Sequence, residues 1–299
     1  MPELPDIEVY VASIASRVIG ESFEHARVVN PFLLRSVEPR VEELEHQRVV
    51  GVRRLGKRVV IELEGELFLV LHLMIAGRLH WFEAGKPAKK PSMLAAFEFS
   101  SGTLILTEAG SKRRASLHLV QGEKNLADHD RGGVEPLEVD RAQFERALQR
   151  ENHTLKRTLT DPRLFSGIGN AYSDEILNRA RLSPLKLSQS MAAEEIDRLH
   201  AAMRQVLSEW TQRLRGETGA NFPKKVTAFR EGFSVHGRFR EPCKQCGSPV
   251  QRIVYAENEC NYCARCQTGG KLLADRALSR LLKQDWPKTI DELEDRASK

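Results

Sequence analysis

The sequence predicts an α+β protein built in successive pieces: a helix, a β-rich N-terminal part, a helical middle, and a small metal-stapled element towards the C-terminus. Three observations predict this. Short apolar or alternating runs bounded by turn residues fill the stretch from about 22 to 120. Apolar residues recur at helical spacing beyond 140. Two Cys-x2-Cys pairs, Cys243/Cys246 and Cys263/Cys266, stand sixteen residues apart. A chain of 299 residues accommodates two domains and a small third element.

Each element has a local cause. Residues 5–19 read as a helix: Pro5 falls in the first turn, where its missing N–H is harmless, Ile7, Val11, Ile14 and Val18 form one apolar stripe, and Gly20 ends it. Val59–Leu63 and Leu67–Leu71 flank a turn at Glu64-Gly65, and Ala96–Phe99 and Leu104–Leu106 flank another at Ser101-Gly102. Several such strands predict a sandwich or a barrel. Residues 121–139 are polar, contain Gly132, Gly133 and Pro136, and read as a linker. Asp140 caps a helix carrying Phe144, Ala147 and Leu148, and Ile196, Leu199, Met203, Val206 and Trp210 line one face of a longer helix, as packing core. Gly167-Ile168-Gly169-Asn170 leads into a helix over 171–181. A glycine-rich helix entry presents backbone N–H groups to a phosphate, although most such glycines only make turns.

Composition narrows the function classes. Hydrophobic residues make up 41% and charged residues 29%, as in soluble globular proteins. No apolar run reaches membrane-spanning length and the start does not resemble a secretory leader, so residence in the cytoplasm is expected. In that compartment the five cysteines are not a disulfide framework. The net charge is only +5, but positive residues cluster at Arg53, Arg54, Lys57 and Arg58; at Lys112, Arg113 and Arg114; at Lys224 and Lys225; and at Arg238 and Arg240. Such clusters suit a phosphate backbone; any one of them taken singly reads as solvated loop charge.

The cysteine spacing is that of a four-thiolate zinc ribbon, with Cys243, Cys246, Cys263 and Cys266 holding one structural Zn2+ in place of the core that so short a segment lacks. Cys260 also makes a legal pair with Cys263, and reads otherwise as a spare thiol. At the other end, Met1-Pro2-Glu3 is a common start before a helix, yet it has a chemical reading. Removal of Met1 would expose Pro2 as a nucleophilic secondary amine, with Glu3 beside it as an acid. Attack of that amine on a sugar C1′ gives an iminium ion, an electron sink for elimination at the neighbouring carbon.

Five motifs occur in one order: Pro2-Glu3-Leu4-Pro5, Gly56-Lys57, Gly133-x-Glu135-Pro136-Leu137, Gly167-Ile168-Gly169-Asn170 and the terminal ribbon. Together, over residues 2 to about 267, they resemble the formamidopyrimidine/endonuclease VIII family of DNA glycosylases. The resemblance implies a β-sandwich over 1–122, a helix-two-turn-helix domain over 140–235 and a zinc finger over 236–267; the polar linker falls at 123–139, and a helical extension over 268–299 runs past the family's usual end. It implies Pro2 as nucleophile, Glu3 as general acid, Lys57 near the lesion phosphate and Asn170 on a phosphate. The implied activity is excision of an oxidised base from flipped-out DNA, followed by strand cleavage through a Schiff base, by a monomer.

The chain departs from the family pattern at the recognition loops. Where the family has His-Leu-Gly-Met-Ser-Gly, this chain has His72-Leu73-Met74-Ile75-Ala76-Gly77, which puts Ile75 at the methionine wedge and Met74 at the glycine. The family's Asp-Pro-Arg-Arg-Phe-Gly loop is replaced by Glu108 to Ala115, with Arg113 kept basic and Arg114 near the place of the phenylalanine. A lost wedge weakens discrimination of the opposite base and favours single-stranded or distorted DNA. Asn258 stands where the finger's arginine is usual, between Glu257 and Glu259, with Arg252 or Arg238 as compensating cations. The segment from Phe229 to Arg240, where the family's loop cradles 8-oxoguanine, is short. Beyond 267, Leu272, Leu273, Ala277, Leu278, Leu281 and Leu282 predict an amphipathic helix packed on the body or on a partner.

These departures predict a bifunctional glycosylase/lyase whose lesion preference is moved away from 8-oxoguanine. Two other readings remain: a non-catalytic damaged-DNA-binding protein on the same scaffold, and a zinc-ribbon transcription or RNA-binding factor. The last leaves the N-terminal motif unexplained.

Overall fold

A computed structural model describes the chain except residues 87, 111, 225, 228, 256–257, 275–279, 282–286 and 298–299, and the side chains of 255, 258, 296 and 297. It is α+β and divides into two compact units, Met1–Arg131 with Glu209–Ala228, and Gly132–Ser208 with Phe229–Lys299. No helix among the described residues is long and apolar enough to cross a membrane.

The first unit opens with α1 (Leu4–Val18). Eight strands follow: β1 (Phe23–Val28), β2 (Val49–Leu55), β3 (Arg58–Leu63), β4 (Leu67–His72), β5 (Gly77–Glu83), β6 (Met93–Phe99), β7 (Gly102–Glu108) and β8 (Ser116–Gln121). They form two four-stranded antiparallel sheets, in the orders β1-β6-β7-β5 and β2-β3-β4-β8. One continuous core joins them: Phe23, Phe97, Phe99, Leu104 and Leu106 from one sheet meet Val59, Ile61, Leu69, Leu71 and Leu117 from the other, and α1 adds Ile7, Tyr10, Ile14 and Val18. This is a sandwich. Alternate residues of every strand point inward, which is why the runs read as apolar or alternating in the sequence.

The segment read as a linker is structured. A short helix, α2 (Glu123–Ala127), lays Leu126 on Val60, Phe68, Val70 and Val120 and covers part of the outer face of the second sheet.

The second unit contains α3 (Arg141–Gln149), α4 (Leu155–Thr160), α5 (Asn170–Ala180) and most of the long α6 (Ala193–Thr218), whose predicted stripe is buried. Asp140 caps α3 through Gln143 N–H at 2.7 Å, as its position predicts. The hairpin β9 (Gln251–Tyr255) and β10 (Asn258–Tyr262) and the helix α7 (Ala264–Thr268) make the cysteine-bearing element. The C-terminal extension includes α8 (Ile290–Ala297). Its Leu272, Leu273, Ile290 and Leu293 join Leu185, Ile253, Tyr262 and Ala264 in one small core, and Arg265 pairs with Asp291 and Glu294. Leu272 and Leu273 pack on their own unit without belonging to the predicted helix, Leu281 is 77% exposed, and Ala277, Leu278 and Leu282 lie outside the described residues.

Candidate functional site

In the first unit the chain start is built into the sandwich. Pro2 and Glu3 are buried, and α1 begins at the next residue. The Asp6 carboxylate accepts Glu3 N–H at 2.9 Å and Ile7 N–H reaches Glu3 O at 3.0 Å, so the first helical turn fixes where residues 2 and 3 lie. With Met1 in place, burial lowers the pKa of its terminal amine, opposed by Glu3 and Asp6 and assisted by Arg78 and Lys57. The same electrostatics put two acids and two cations of the sandwich around the terminus.

Lys57 reaches this neighbourhood through a tight turn between β2 and β3. Gly56 there has φ +61°, a conformation that disfavours a side chain. Arg54 braces the turn: it donates to Gly56 O at 2.9 Å and to Glu8 of α1 at 2.8 Å. Sequence reasoning saw Arg54 only as one member of a basic cluster; its bracing role depends on a contact with a residue forty-six positions away.

Ile75 sits at the tip of the β4–β5 connection, 55% exposed. That turn is closed by Gly77 N–H on Leu73 O, 2.9 Å, and a Cβ at Gly77 would stand 2.3 Å from the same oxygen. Met74 adopts φ +51°, the left-handed region that its glycine counterpart in the family motif would occupy without strain. Arg113 and Arg114 are exposed on the loop after β7. Glu108, 1% exposed, closes that loop by accepting Arg114 N–H at 2.9 Å and Ala115 N–H at 3.0 Å. The sequence offers no sign of this, because a buried carboxylate and a solvated one are the same letter.

In the second unit, Asn170 is the first residue of α5, and its side-chain amide donates to Glu259 O of β10 at 2.9 Å. One turn later Asp174 is buried, accepting Lys156 Nζ at 2.6 Å, His236 Nδ1 at 2.8 Å and Asn261 N–H at 3.1 Å. Burial by itself raises the Asp174 pKa, but Lys156 and His236 outweigh it and hold the carboxyl below its ordinary value. Its neighbour Glu175 accepts the N–H groups of Ser234, Val235 and His236, at 2.6, 2.9 and 2.9 Å; burial raises its pKa against that pull. The two carboxylates thus tie α5 both to the segment entering the cysteine element and to its hairpin.

Asn258 starts β10, paired with Tyr255; its side chain and residues Ala256 and Glu257 lie outside the described set. The two cations named as substitutes for an arginine there are placed differently. Arg238 is occupied inside the unit by Glu241, Ser234 O and Pro242 O, at 2.8, 2.9 and 3.1 Å, so it fixes the backbone instead. Arg252 is exposed, stacked 4.3 Å over the Phe239 ring and 3.3 Å from Glu259.

The sulfur atoms of Cys243, Cys246, Cys263 and Cys266 all lie within 4.8 Å of one another, with Cys246–Cys263 at 3.4 Å and Cys243–Cys266 at 4.0 Å. Four thiolates around one tetrahedral ion at about 2.3 Å stand roughly 3.8 Å apart, so the set fits a single metal ion. Cys260 lies outside it, buried beside Ile253 and Tyr262, where burial pushes its thiol pKa well up. Of the two readings of Cys260, the spare thiol is the one the geometry keeps.

Residues 1–115 match the formamidopyrimidine-DNA glycosylase N-terminal domain and 133–220 match the H2TH domain of the same enzymes. A formamidopyrimidine-DNA glycosylase of Heliobacterium modesticaldum is 31% identical over 280 residues, 89% of this chain and 100% of that protein. One from Herpetosiphon aurantiacus is 30% identical, with 89% and 100% covered. A glycosylase-like protein of Mycobacterium tuberculosis is 39% identical over 151 residues, 50% of this chain and 94% of its own. The structure of Lactococcus lactis Fpg with abasic-site DNA superposes with a TM-score of 0.78 at 23% identity, over 89% of this chain and 99% of that one, which shows the shared fold. Matched in both domain models and along nearly the whole length of its relatives, the chain belongs to the formamidopyrimidine-DNA glycosylase/endonuclease VIII family.

Proposed function

We propose that the chain is a base-excision repair DNA glycosylase that also cleaves at abasic sites, using Pro2 as the nucleophile once Met1 is removed. The observation that carries this reading is the chain start: residues 2 and 3 are held by the first turn of α1, and Glu3, Asp6, Arg78 and Lys57 act on the amine of Met1 that precedes them. An amine that is partly buried and faced by cations stays neutral at lower pH, and only the neutral form has the lone pair for attack.

In the proposed reaction the Pro2 nitrogen bonds to C1′ as the glycosidic bond breaks, the base leaving with the bond's electron pair and the proton that the amine gives up. Glu3 supplies a proton to the sugar ring oxygen as the ring opens, leaving an iminium ion. Loss of a proton from C2′ expels the 3′ phosphate, and water then hydrolyses the iminium and restores the amine. Lys57 would sit on the phosphate beside the lesion, and Asn170 would approach the backbone from the second unit. Names of relatives as glycosylases, and of structural neighbours as DNA complexes, support the substrate class. The four cysteines would hold one Zn2+ that folds the β9–β10 element without taking part in the reaction.

The lesion preference is read as moved away from 8-oxoguanine, towards hydantoins, oxidised pyrimidines or lesions in single strands. Ile75 is an exposed apolar tip, but the second loop offers Arg113 and Arg114 in place of an aromatic wedge. Borohydride trapping on an oligonucleotide with one abasic site tests the reading. Protein shown by mass to begin at Pro2 should give a covalent adduct at residue 2. Glu3→Gln should lose base removal while keeping the adduct on a ready-made abasic site. No adduct from such protein would make the chain a damaged-DNA-binding module instead.

A further inference from the structure

Phe32 is the most solvent-exposed phenylalanine among the described residues, at 79%. A lone apolar side chain in water is ordinary; this one differs in that its backbone is pinned on both sides. Val29 N–H and Asn30 N–H donate to Leu94 O of β6 at 2.9 and 3.1 Å, and Arg35 N–H donates to Leu117 O of β8 at 2.9 Å. Between these two feet Pro31–Leu33 form a single 3-10 turn, capped by the Asn30 side chain, which accepts Phe32 N–H at 3.0 Å. Leu33 drops into the sandwich core, and its neighbour Phe32 stays outside.

Strand register fixes where this turn stands. Arg58 of β3, His72 of β4 and Ser116 of β8 lie opposite one another in the second sheet, and Gly77 of β5 lies opposite Glu108 of β7 in the first. The β2–β3 turn with Lys57, the β4–β5 connection with Ile75 and the β7–β8 loop with Arg113 and Arg114 therefore leave the sandwich at one end. The Phe32 turn leaves at the same end. Its first foot, on Leu94, is two residues from Ser92, whose carbonyl accepts Glu108 N–H at 3.1 Å where the β7–β8 loop begins. Its second foot follows a parallel bridge between Leu34 and Leu117, which sets Phe32, two residues earlier, beside Ala115 where that loop ends. Arg35 is exposed and adds a cation there. An aromatic ring among cations suits a nucleic acid: the cations hold the backbone and the ring offers a face to a base.

We propose that Phe32 stacks on a nucleobase at the lesion, supplying from the segment after β1 the aromatic contact that the Arg113–Arg114 loop lacks. The proposal rests on the DNA-repair reading above. The ring is held out before DNA arrives, so little freedom is lost on contact. A base that has lost its partner is the cheapest to unstack and therefore the one the ring can take. Purines cover a phenyl ring more fully than pyrimidines do, so Phe32 favours a purine opposite the damaged position.

The test titrates the full-length protein, as wild type, Phe32→Ala and Phe32→Trp, with duplexes carrying a tetrahydrofuran abasic-site analogue opposite each of the four bases. Phe32→Ala should weaken binding by about fivefold or more, the loss of one stacked base, and narrow the purine–pyrimidine difference. Its thermal midpoint should not move, because the ring supports no core. Phe32→Trp should keep both the affinity and the preference. Wild-type affinity and preference in Phe32→Ala overturn the assignment, as does a loss that Phe32→Trp does not recover. A dimer in sedimentation that Phe32→Ala dissolves, with DNA affinity unchanged, gives the ring and the exposed Val29 and Val37 to a second copy of the chain and also overturns it. Wild-type protein that binds these duplexes through Phe32 but gives no borohydride adduct on an abasic site overturns the catalytic reading and leaves this one standing. Protein that binds no duplex overturns both.

Discussion

The Asp174 carboxylate, 1% exposed and one helical turn after Asn170, receives the Lys156 ammonium of α4 at 2.6 Å, and the Asn170 carbonyl accepts the same ammonium at 2.6 Å. One buried ion pair thus fixes the start of α5 and, through His236 and Asn261, the cysteine-bearing hairpin. Breaking a buried pair from one side leaves an uncompensated charge, which costs about 3–5 kcal/mol. Asp174→Asn should lower the stability of the second unit by about 3 kcal/mol in urea unfolding. Wild-type stability in this variant would show that the pair contributes nothing net.

Acid should unfold the first unit early. His72, His80 and His118 have folded pKa values of about 4, below the ordinary 6.5, with burial the largest cause in each. The unfolded chain binds more protons between those values, so stability rises with pH there and is lost as pH falls from about 6.5 towards 4. Thermal midpoints measured across that window should fall with pH, and His118→Asn should make the fall shallower. A flat profile over pH 4–6.5 would contradict the buried neutral imidazoles.

Met74 carries backbone strain that glycine would not. A left-handed conformation costs an L residue roughly 1–2 kcal/mol, and glycine's greater unfolded-state freedom takes back about 0.5–1. Met74→Gly should therefore stabilise by about 0.5 kcal/mol, whereas Met74→Ala, which keeps the strain, should not. A loss of stability in the glycine variant would mean that the Met74 side chain packs for more than its backbone costs.

Glu108 holds the last part of the Arg113–Arg114 loop by two backbone N–H groups. Removing it leaves both donors without that acceptor, at about 1–3 kcal/mol each for a buried group. Glu108→Ala should destabilise the sandwich by about 2 kcal/mol or more and raise proteolysis between 109 and 115. An unchanged cleavage pattern would show that the loop is held by other contacts.

Metal analysis should find one zinc per chain, lost in Cys243→Ser, while Cys260→Ser keeps it. Chelation should unfold the β9–β10 element and abolish duplex binding, because the ribbon's own cores are small. Full binding by metal-free protein would remove the element from the DNA-binding surface.

Much of this was legible in the sequence because it is written in local patterns. The stripe of Ile196, Leu199, Met203, Val206 and Trp210 has the period of a helix whatever surrounds it, and the Cys-x2-Cys spacing brings sulfur atoms together through two short turns. Pro5, Asp140 and Gly56 act within three residues of where they stand. The choice between sandwich and barrel was not local: it depends on the pairings β1-β6, β5-β7 and β4-β8, which join strands that are not consecutive in the chain.

The sequence by itself determined the N-terminal Pro2-Glu3 pair, the helix behind it, the four-cysteine cluster and the order of the elements. Tertiary structure alone decided which charged residues act on one another. Arg238 and Arg252 are equally basic letters, yet one is locked among carbonyls and the other is exposed. Glu108, Asp174 and Glu175 are buried hydrogen-bond acceptors, which no local pattern marks. A charge acquires its meaning from burial and from partners brought close by folding, and neither is a property of its neighbours in the chain.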